Sequence, residues 1–375
     1  MGSTQIPQAA ELMSSFARRT GISGGSPPHR YLWTDAHAVC NFLTLHAYQG
    51  DTQWLALAVA LVDQVHEVLG RHRADDVRSG WISGLSEAEG RKHPTIGGLR
   101  IGKRRPERSR NAPVDEQGEW EQDGQYYHYL TKWIHALGRM GAVTGDARYR
   151  RWAQELVVAS YQGFRAASGP ARLHWKMSID LSYPLVVASG QHDPLDGLIT
   201  SLVVLEYSED PGVAELRAVS DALGVLCRTQ AWFTDDPLGL GGLLFDAARI
   251  VQLTSEIGRE TGLPLLEPIL DAAHRGIESF VMSGALQRPA AQRLAFRELG
   301  LSIGLQALDQ LAGRALRPSV MRRLDQLRAF SGLQKSIEQV WLRPDLQQLR
   351  NWREHLDINS VMLATSLEPA MYLEI

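Results

Sequence analysis

Two glycine-aspartate steps, Gly50-Asp51 and Gly145-Asp146, constrain what this chain can fold into more than any other feature. Each follows one stretch of helically spaced apolar residues and precedes another, so it reads as a left-handed glycine closing one helix and an aspartate capping the next. Helices joined by so short a turn pack as antiparallel hairpins. The segments 208–211, 261–264 and 315–318 do the same work with Pro211, Pro264 and Pro318 in the first turn of the following helix. The spacing predicts hairpins over 35–48 with 52–70, 124–142 with 146–166, 195–207 with 211–228, 241–259 with 264–281, and 292–312 with 318–330. Residues 333–375 supply a less regular sixth. No run alternates with period two between turn residues, so the expected fold class is all-α.

A hairpin repeated in this way builds either a ring or a solenoid. The turns inside each pair are short, whereas the segments leading into the first helix of a pair, 71–123, 167–194, 229–240 and 282–291, are long. Long segments gathered beside the N-termini of inner helices favour a ring, an (α/α)6 toroid with its long loops on one face. Unpaired backbone N–H groups and helix dipoles there favour anions. The expected organisation is one domain over 1–375, with residues 1–28 as an N-terminal extension and 71–123 as a long active-site loop.

Two stretches carry chemistry. Asp123-Gly124-Gln125-Tyr126 opens one inner helix, where Asp123 stands at an N-cap position, and Ser178-Ile179-Asp180-Leu181-Ser182-Tyr183-Pro184-Leu185 precedes the next. In these motifs, and in its hairpin architecture over nearly its whole length, the chain resembles the six-hairpin glycosidase-like superfamily, with local similarity to the unsaturated glucuronyl and rhamnogalacturonyl hydrolases. The resemblance implies a toroid with Asp123 and Asp180 at its mouth. One departure is that Gln122 stands where those hydrolases carry a histidine.

Paired carboxylates suit glycosidic chemistry, one protonated to supply a proton and one ionised to handle water or developing positive charge. The expected catalytic residues are Asp180, Asp123, His192 and His128, the histidines because an imidazole at a helix entrance exchanges protons near neutral pH. Gln125, His128, Lys132, His135 and Arg139 share one polar face of their helix. Trp33, Trp120, Tyr126 and Trp175 offer rings on which sugars stack. With Asp35, Gln125, Lys176 and Asp193 they make up the expected substrate contacts, together with Arg100 and Lys103 from the glycine-rich, arginine-rich loop.

That loop, Arg100 to Arg110, carries six basic residues and one acid. Its charge is met either by an anionic substrate or by the acidic run Asp115, Glu116, Glu119 and Glu121 just behind it. The loop lacks the spacing of a phosphate-binding loop, and no nucleic-acid module surrounds it in a chain of net charge −3. No apolar run approaches the roughly 18 residues a membrane span requires. Cys40 and Cys227 lie in apolar helical patterns without a CxxC partner, which suits reduced, buried thiols and a cytoplasmic setting. With neither HExxH nor a Cys/His framework, no metal and no cofactor are expected.

The leading expectation is a glycoside hydrolase acting on a short, anionic saccharide. The alternatives are an isomerase or epimerase using His128 and His192 on the same toroid, a lyase or cyclising enzyme, and a non-catalytic carbohydrate-binding toroid. The partner in each case is a small-molecule saccharide or other anionic substrate, with no nucleic acid and no membrane. Oligomeric state is not legible.

Overall fold

The helical hairpins form where the glycine-aspartate steps place them. In the computed structural model, which describes residues 5–169, 171–208, 212–258, 260–311, 314 and 316–375, Gly50 and Gly145 close their helices at φ 68° and 70°. Asp51 and Asp146 then accept from the backbone N–H groups of Gln53 and Arg148 at 2.8 and 2.9 Å. The hairpins are Leu32–Gln49 with Thr52–Leu69, Tyr127–Thr144 with Ala147–Phe164, and Asp193–Glu206 with Val213–Cys227. Pro237–Ile257 with Leu263–Met282 follows, but the expected pairing of 292–312 with 318–330 is corrected: Ala295–Ala307 packs on Pro237–Ile257, Gly332–Trp341 and Leu356–Leu367, while Pro318–Arg328 packs on Leu263–Met282. The final segment holds Gly332–Trp341 and Leu356–Leu367, and the N-terminal extension contains the helix Ile6–Arg19. Residues 209–211, 259, 312, 313 and 315 fall outside the described set, as do the side chains of 116, 117, 256 and 257, so the turns expected at Asp210-Pro211 and Ala315 are not described.

The chain divides into two compact units, residues 17–230 and residues 231–375 with the N-terminal stretch up to 16. In the 17–230 unit the first helix of each hairpin is buried on all sides and the second along one stripe. Leu32–Leu45 of the first helix are all buried, whereas Thr52–Leu69 buries Trp54, Ala58, Leu61, Val62, Val65, His66 and Leu69. That three-four spacing is the apolar stripe of a helix with one face in solvent. Each fully buried Leu or Val on it contributes roughly 1.5–3 kcal/mol relative to exposure. The buried helices pack in succession, Leu32–Gln49 on Tyr127–Thr144 and Tyr127–Thr144 on Asp193–Glu206.

The 231–375 unit is held by buried polar side chains as well as apolar ones. Arg293 pairs both guanidinium ends with Glu298 at 2.8 and 2.7 Å, and Trp341 Nε1 donates to the same carboxylate at 2.8 Å.

Two further expectations are corrected. The second buried helix starts at Tyr127, with Tyr126 at its N-cap, so Asp123 is not a cap. Gln125–Tyr126 instead forms strand β1 of a small antiparallel sheet, paired with β2 (Lys176–Met177), which pairs with β3 (Pro184–Val186). Strands of two or three residues are too short to show alternation. Cys40 and Cys227 are buried and are not joined in a disulfide. Among the described residues no helix is long and apolar enough to cross a membrane.

Candidate active site

Three buried helices of the 17–230 unit bring the residues near their N-termini together. Pro194 sits in the first turn of Asp193–Glu206, where its missing N–H costs no helical bond, and this sets Asp193 and Asp196 one turn apart on one face. His128 lies in the first turn of Tyr127–Thr144, and its Nδ1 stands 3.6 Å from Oδ1 of Asp193. Asp196 faces the same helix, accepting from Thr131 Oγ1 at 2.5 Å and Lys132 Nζ at 2.8 Å. The aspartate one turn earlier has no such support. Among the described residues Oδ2 of Asp193 has no hydrogen-bond partner although the residue is only 5% exposed. The backbone at Gly190 presses on this carboxyl so closely that an added Cβ would lie 2.2 Å from Oδ2.

Those surroundings separate the two groups electrostatically. Burial, then the nearby charge of Asp196, pushes the Asp193 carboxyl up to about 8 against the pull of Lys132. Burial brings His128 down to about 4, with Asp196 acting upward and Lys132 downward. At neutral pH the site therefore holds a protonated carboxyl beside a neutral imidazole. His128 keeps 27% of its side-chain surface open, so this pair is reachable from outside.

Aromatic rings surround the imidazole. Tyr129 lies 4.9 Å away edge-on, Tyr126 at 5.4 Å, and Trp33 at 6.0 Å from the first buried helix. Trp175 lies parallel to it within 11° at 6.4 Å. The indole N–H of Trp33 is buried and has no partner among the described residues. Unpartnered buried polar atoms carry a desolvation cost, and three of them, on Trp33, His128 and Asp193, around a partly open ring make this the candidate ligand site.

The expected site residues divide between this cluster and the scaffold. Trp33, Tyr126, His128, Trp175 and Asp193 belong to the cluster. Trp120 is about half exposed and meets Trp175 edge-on at 4.8 Å. His192 forms the N-cap of the helix that carries Asp193. Lys103 sets its ammonium 5.2 Å over the ring of Tyr31, whose hydroxyl bonds that of Tyr129 at 2.7 Å.

Arg100 is corrected from ligand contact to scaffold. Its donors go to Asp123 at 2.5 Å, the carbonyl of Arg71 at 2.7 Å and that of Val68 at 2.6 Å. Asp123 is fully buried and also accepts from the N–H groups of Gly102 and Lys103, at 3.0 and 3.2 Å, and from Arg73 at 3.3 Å. A carboxylate with four donors on it holds the arginine-rich loop in place. Gln125 is likewise spent inside the fold, accepting from Leu99 N–H at 2.8 Å and donating to the carbonyls of Gly97 and Ile179 at 2.9 and 2.6 Å. Gly98, at φ +73°, lets the loop come this close, since an added Cβ would meet Gln125 Oε1 at 2.0 Å. The glycines thus bring the backbone to Gln125, not to a ligand.

Lys176 is fully buried, donating to the carbonyls of Glu119 and Gln122 at 2.5 and 2.9 Å. Asp35 accepts from the N–H of Tyr31 at 2.9 Å and stands 3.5 Å from Arg30. Asp180 occupies the turn between β2 and β3, where Ser178 and Ser182 hydroxyls donate at 2.8 and 2.6 Å and Arg78 at 2.8 Å. Burial would raise its carboxyl, but these donors together hold it below the usual carboxylate value. Asp123 and Asp180 are thus gripped by different arginines, and Asp180 is not set up as a proton donor.

Part of the basic loop is neutralised by carboxylates that follow it, while its own acid pairs with an arginine outside it. Arg108 pairs with Glu119, Arg105 with Glu121 at 2.9 Å, and Glu107 with Arg78 at 2.5 Å. Sequence reasoning missed Arg73 and Arg78, which have no helical pattern around them. It also missed the role of Asp196, whose three-residue spacing from Asp193 on a helix beginning with proline was a usable signal. Leu181, a non-glycine residue at φ +60°, marks the Asp180 turn as a tight one.

No family model matches the chain and no curated protein does. Solved structures do. An α-1,6-mannanase of family GH76 from Salegentibacter sp. superposes with a TM-score of 0.54 at 12% identity, over 98% of this chain and 99% of that one. A GH76 α-mannanase from Bacteroides thetaiotaomicron gives 0.57 at 9% identity, over 98% and 96%. Cellobiose 2-epimerase from Spirochaeta thermophila gives 0.52 at 12%, over 98% of each. What they share with this chain is an all-α fold.

Proposed function

We propose that this chain is a carbohydrate-active enzyme, a glycoside hydrolase acting on a saccharide with Asp193 as proton donor. The observation that supports it is a buried carboxyl that burial pushes up to about 8, with one oxygen unpartnered, beside a partly open imidazole walled by aromatic rings. The reaction begins when Asp193 gives its proton from Oδ2 to the glycosidic oxygen as the bond to the anomeric carbon breaks. Water adds to that carbon and loses its proton to Nε2 of His128. The imidazolium then gives its Nδ1 proton to Oδ1 of Asp193, which reprotonates the acid and leaves His128 as its Nε2–H tautomer; loss of that proton to solvent and uptake of another at Nδ1 restore the starting imidazole. Asp196, which accepts from Lys132 and raises the affinity of His128 for a proton, stabilises the transient imidazolium. The pairing of Arg100, Arg105 and Arg108 with Asp123, Glu121 and Glu119 leaves Lys103 as the loop cation nearest the cluster, which weakens the case for an acidic sugar, so the reading favours a neutral saccharide.

The likeness in fold to α-1,6-mannanases, one of them studied as an inactive variant with α-1,6-mannotriose, makes linear manno-oligosaccharides a first choice of substrate. Purified protein is incubated with these, with gluco-oligosaccharides and with aryl glycosides, and new reducing ends are counted. Release by wild type and a loss of about 10²–10⁴-fold in Asp193→Asn is expected, the range for removal of a general acid. Full activity in that variant ends the assignment.

The neutral, partly open imidazole of His128 favours a second reading, a sugar epimerase abstracting a proton from carbon, as befits the fold likeness to cellobiose 2-epimerase. Solvent deuterium in a recovered, uncleaved sugar separates this from hydrolysis.

A further inference from the structure

Trp120 is the exposed end of a row of rings that starts at His128, and nothing in the proton-transfer chemistry uses it. It lies 4.8 Å from Trp175, which lies 5.1 Å from Tyr126 and 6.4 Å from His128. Indoles are rarely left half in water, and this one is 52% exposed. It is also held firmly. Lys176, fully buried, donates to the carbonyls of residues 119 and 122 on either side of it. Arg108, itself buried, pairs with the Glu119 side chain and donates to the carbonyl of Leu185 on β3 at 3.0 Å. Two buried cations thus fix the loop that presents one solvent-facing indole beside the sheet that carries Trp175.

We propose that Trp120 and Trp175 form an outer sugar subsite, so that the substrate is a linear oligosaccharide reaching at least two sugar units outward from His128 and Asp193. This rests on the saccharide reading above. The C–H face of a pyranose is apolar, and it covers an indole face while its hydroxyls stay in water, which suits a ring that is fixed yet half exposed. The path from His128 through Trp175 to Trp120, at 6.4 and 4.8 Å, sets the outward reach, and because the two indoles cross at 72° each offers its own face. A substrate of one sugar unit would leave Trp120 with no partner.

The test is a ladder of linear manno- and gluco-oligosaccharides of one to six sugars, titrated calorimetrically against the full chain as wild type and as Trp120→Ala. Affinity in the wild type is expected to rise by at least tenfold between the shortest ligand bound and a chain two units longer, a gain Trp120→Ala abolishes while leaving affinity for the shortest unchanged. Equal melting temperatures establish that the variant folds. Trp120→Phe should recover much of the gain, because it restores an apolar face. Length dependence that survives intact in Trp120→Ala overturns the subsite, and so does a ladder of which no member binds wild type. Length-dependent binding that needs Trp120, found in a protein without any turnover, supports the subsite while it is the catalytic reading that fails.

Discussion

Nδ1 of His128 faces Oδ1 of Asp193 across 3.6 Å, and the protein moves the two groups in opposite directions, the imidazole down to about 4 and the carboxyl up to about 8. In water an aspartate and a histidine that close would ionise as a pair. Here burial outweighs their attraction, because a charge on either group loses more hydration than the other returns. The result is a neutral pair that can give one proton and accept another.

The first prediction is a pH profile. Catalysis that needs Asp193 protonated and His128 neutral should hold between about pH 4 and about pH 8, falling below as the imidazole charges and above as the carboxyl ionises. Turnover of any substrate found in the screen, measured as kcat/KM from pH 3.5 to 9.5, checks it. A profile that rises through pH 8 contradicts Asp193 as the acid.

Stability should carry the same signature with a defined sign. The folded carboxyl of Asp193 titrates at about 8 against an ordinary value of 3.8, so the folded state holds a proton that the unfolded chain has lost. Its contribution is fully present below about pH 4 and is lost as pH rises toward about 8. Melting temperatures across that range should therefore fall in wild type relative to Asp193→Asn, which does not titrate. Parallel curves would show that the carboxyl is already ionised in the folded protein.

Arg100→Ala should act on folding and not on substrate affinity. Removing it leaves the fully buried Asp123 with only Arg73 and two backbone donors, and breaking a buried pair from one side costs on the order of 3–5 kcal/mol. Chemical denaturation should show the loss, and moderate salt should leave the KM of wild type unchanged. A steep rise in KM at unaltered stability would return Arg100 to the ligand.

Gly98→Ala and Gly145→Ala form a matched pair, both at positive φ, +73° and +70°. At Gly145 nothing lies within 4 Å of an added Cβ, so only the left-handed conformation is penalised, at about 1–2 kcal/mol. At Gly98 the new atom also meets Gln125 Oε1 at 2.0 Å. Denaturation midpoints should therefore fall clearly further for Gly98→Ala; equal losses would mean that the loop does not depend on its contact with Gln125.

The hairpins were legible because their signals are local. Gly50-Asp51 and Gly145-Asp146 announce a helix end and a helix start without reference to anything distant, and the stripe Trp54, Ala58, Leu61, Val65 states which face is buried. The arginine-rich loop was legible as a charge problem, and its acidic neighbours Glu119 and Glu121 do resolve part of it. What sequence could not reveal is pairing across the chain. Arg78 reaches Asp180 over 102 positions and Arg73 reaches Asp123 over 50, and only the fold decides which carboxylate an arginine finds. Asp123, Asp180 and Asp193 look alike as letters. The first has four donors on it, the second an arginine and two serines, the third one bare oxygen, and that difference separates scaffold from chemistry.

The protonation state of Asp193 tests the account most directly, and it needs no substrate. With aspartate labelled by ¹³C at its carboxyl carbon, the resonance that disappears in Asp193→Asn is followed by NMR from pH 4 to 10. The account predicts a carboxyl still protonated at pH 7 and titrating near 8. A resonance that titrates below pH 5 would make Asp193 an ordinary ionised aspartate and contradict its role as the proton donor.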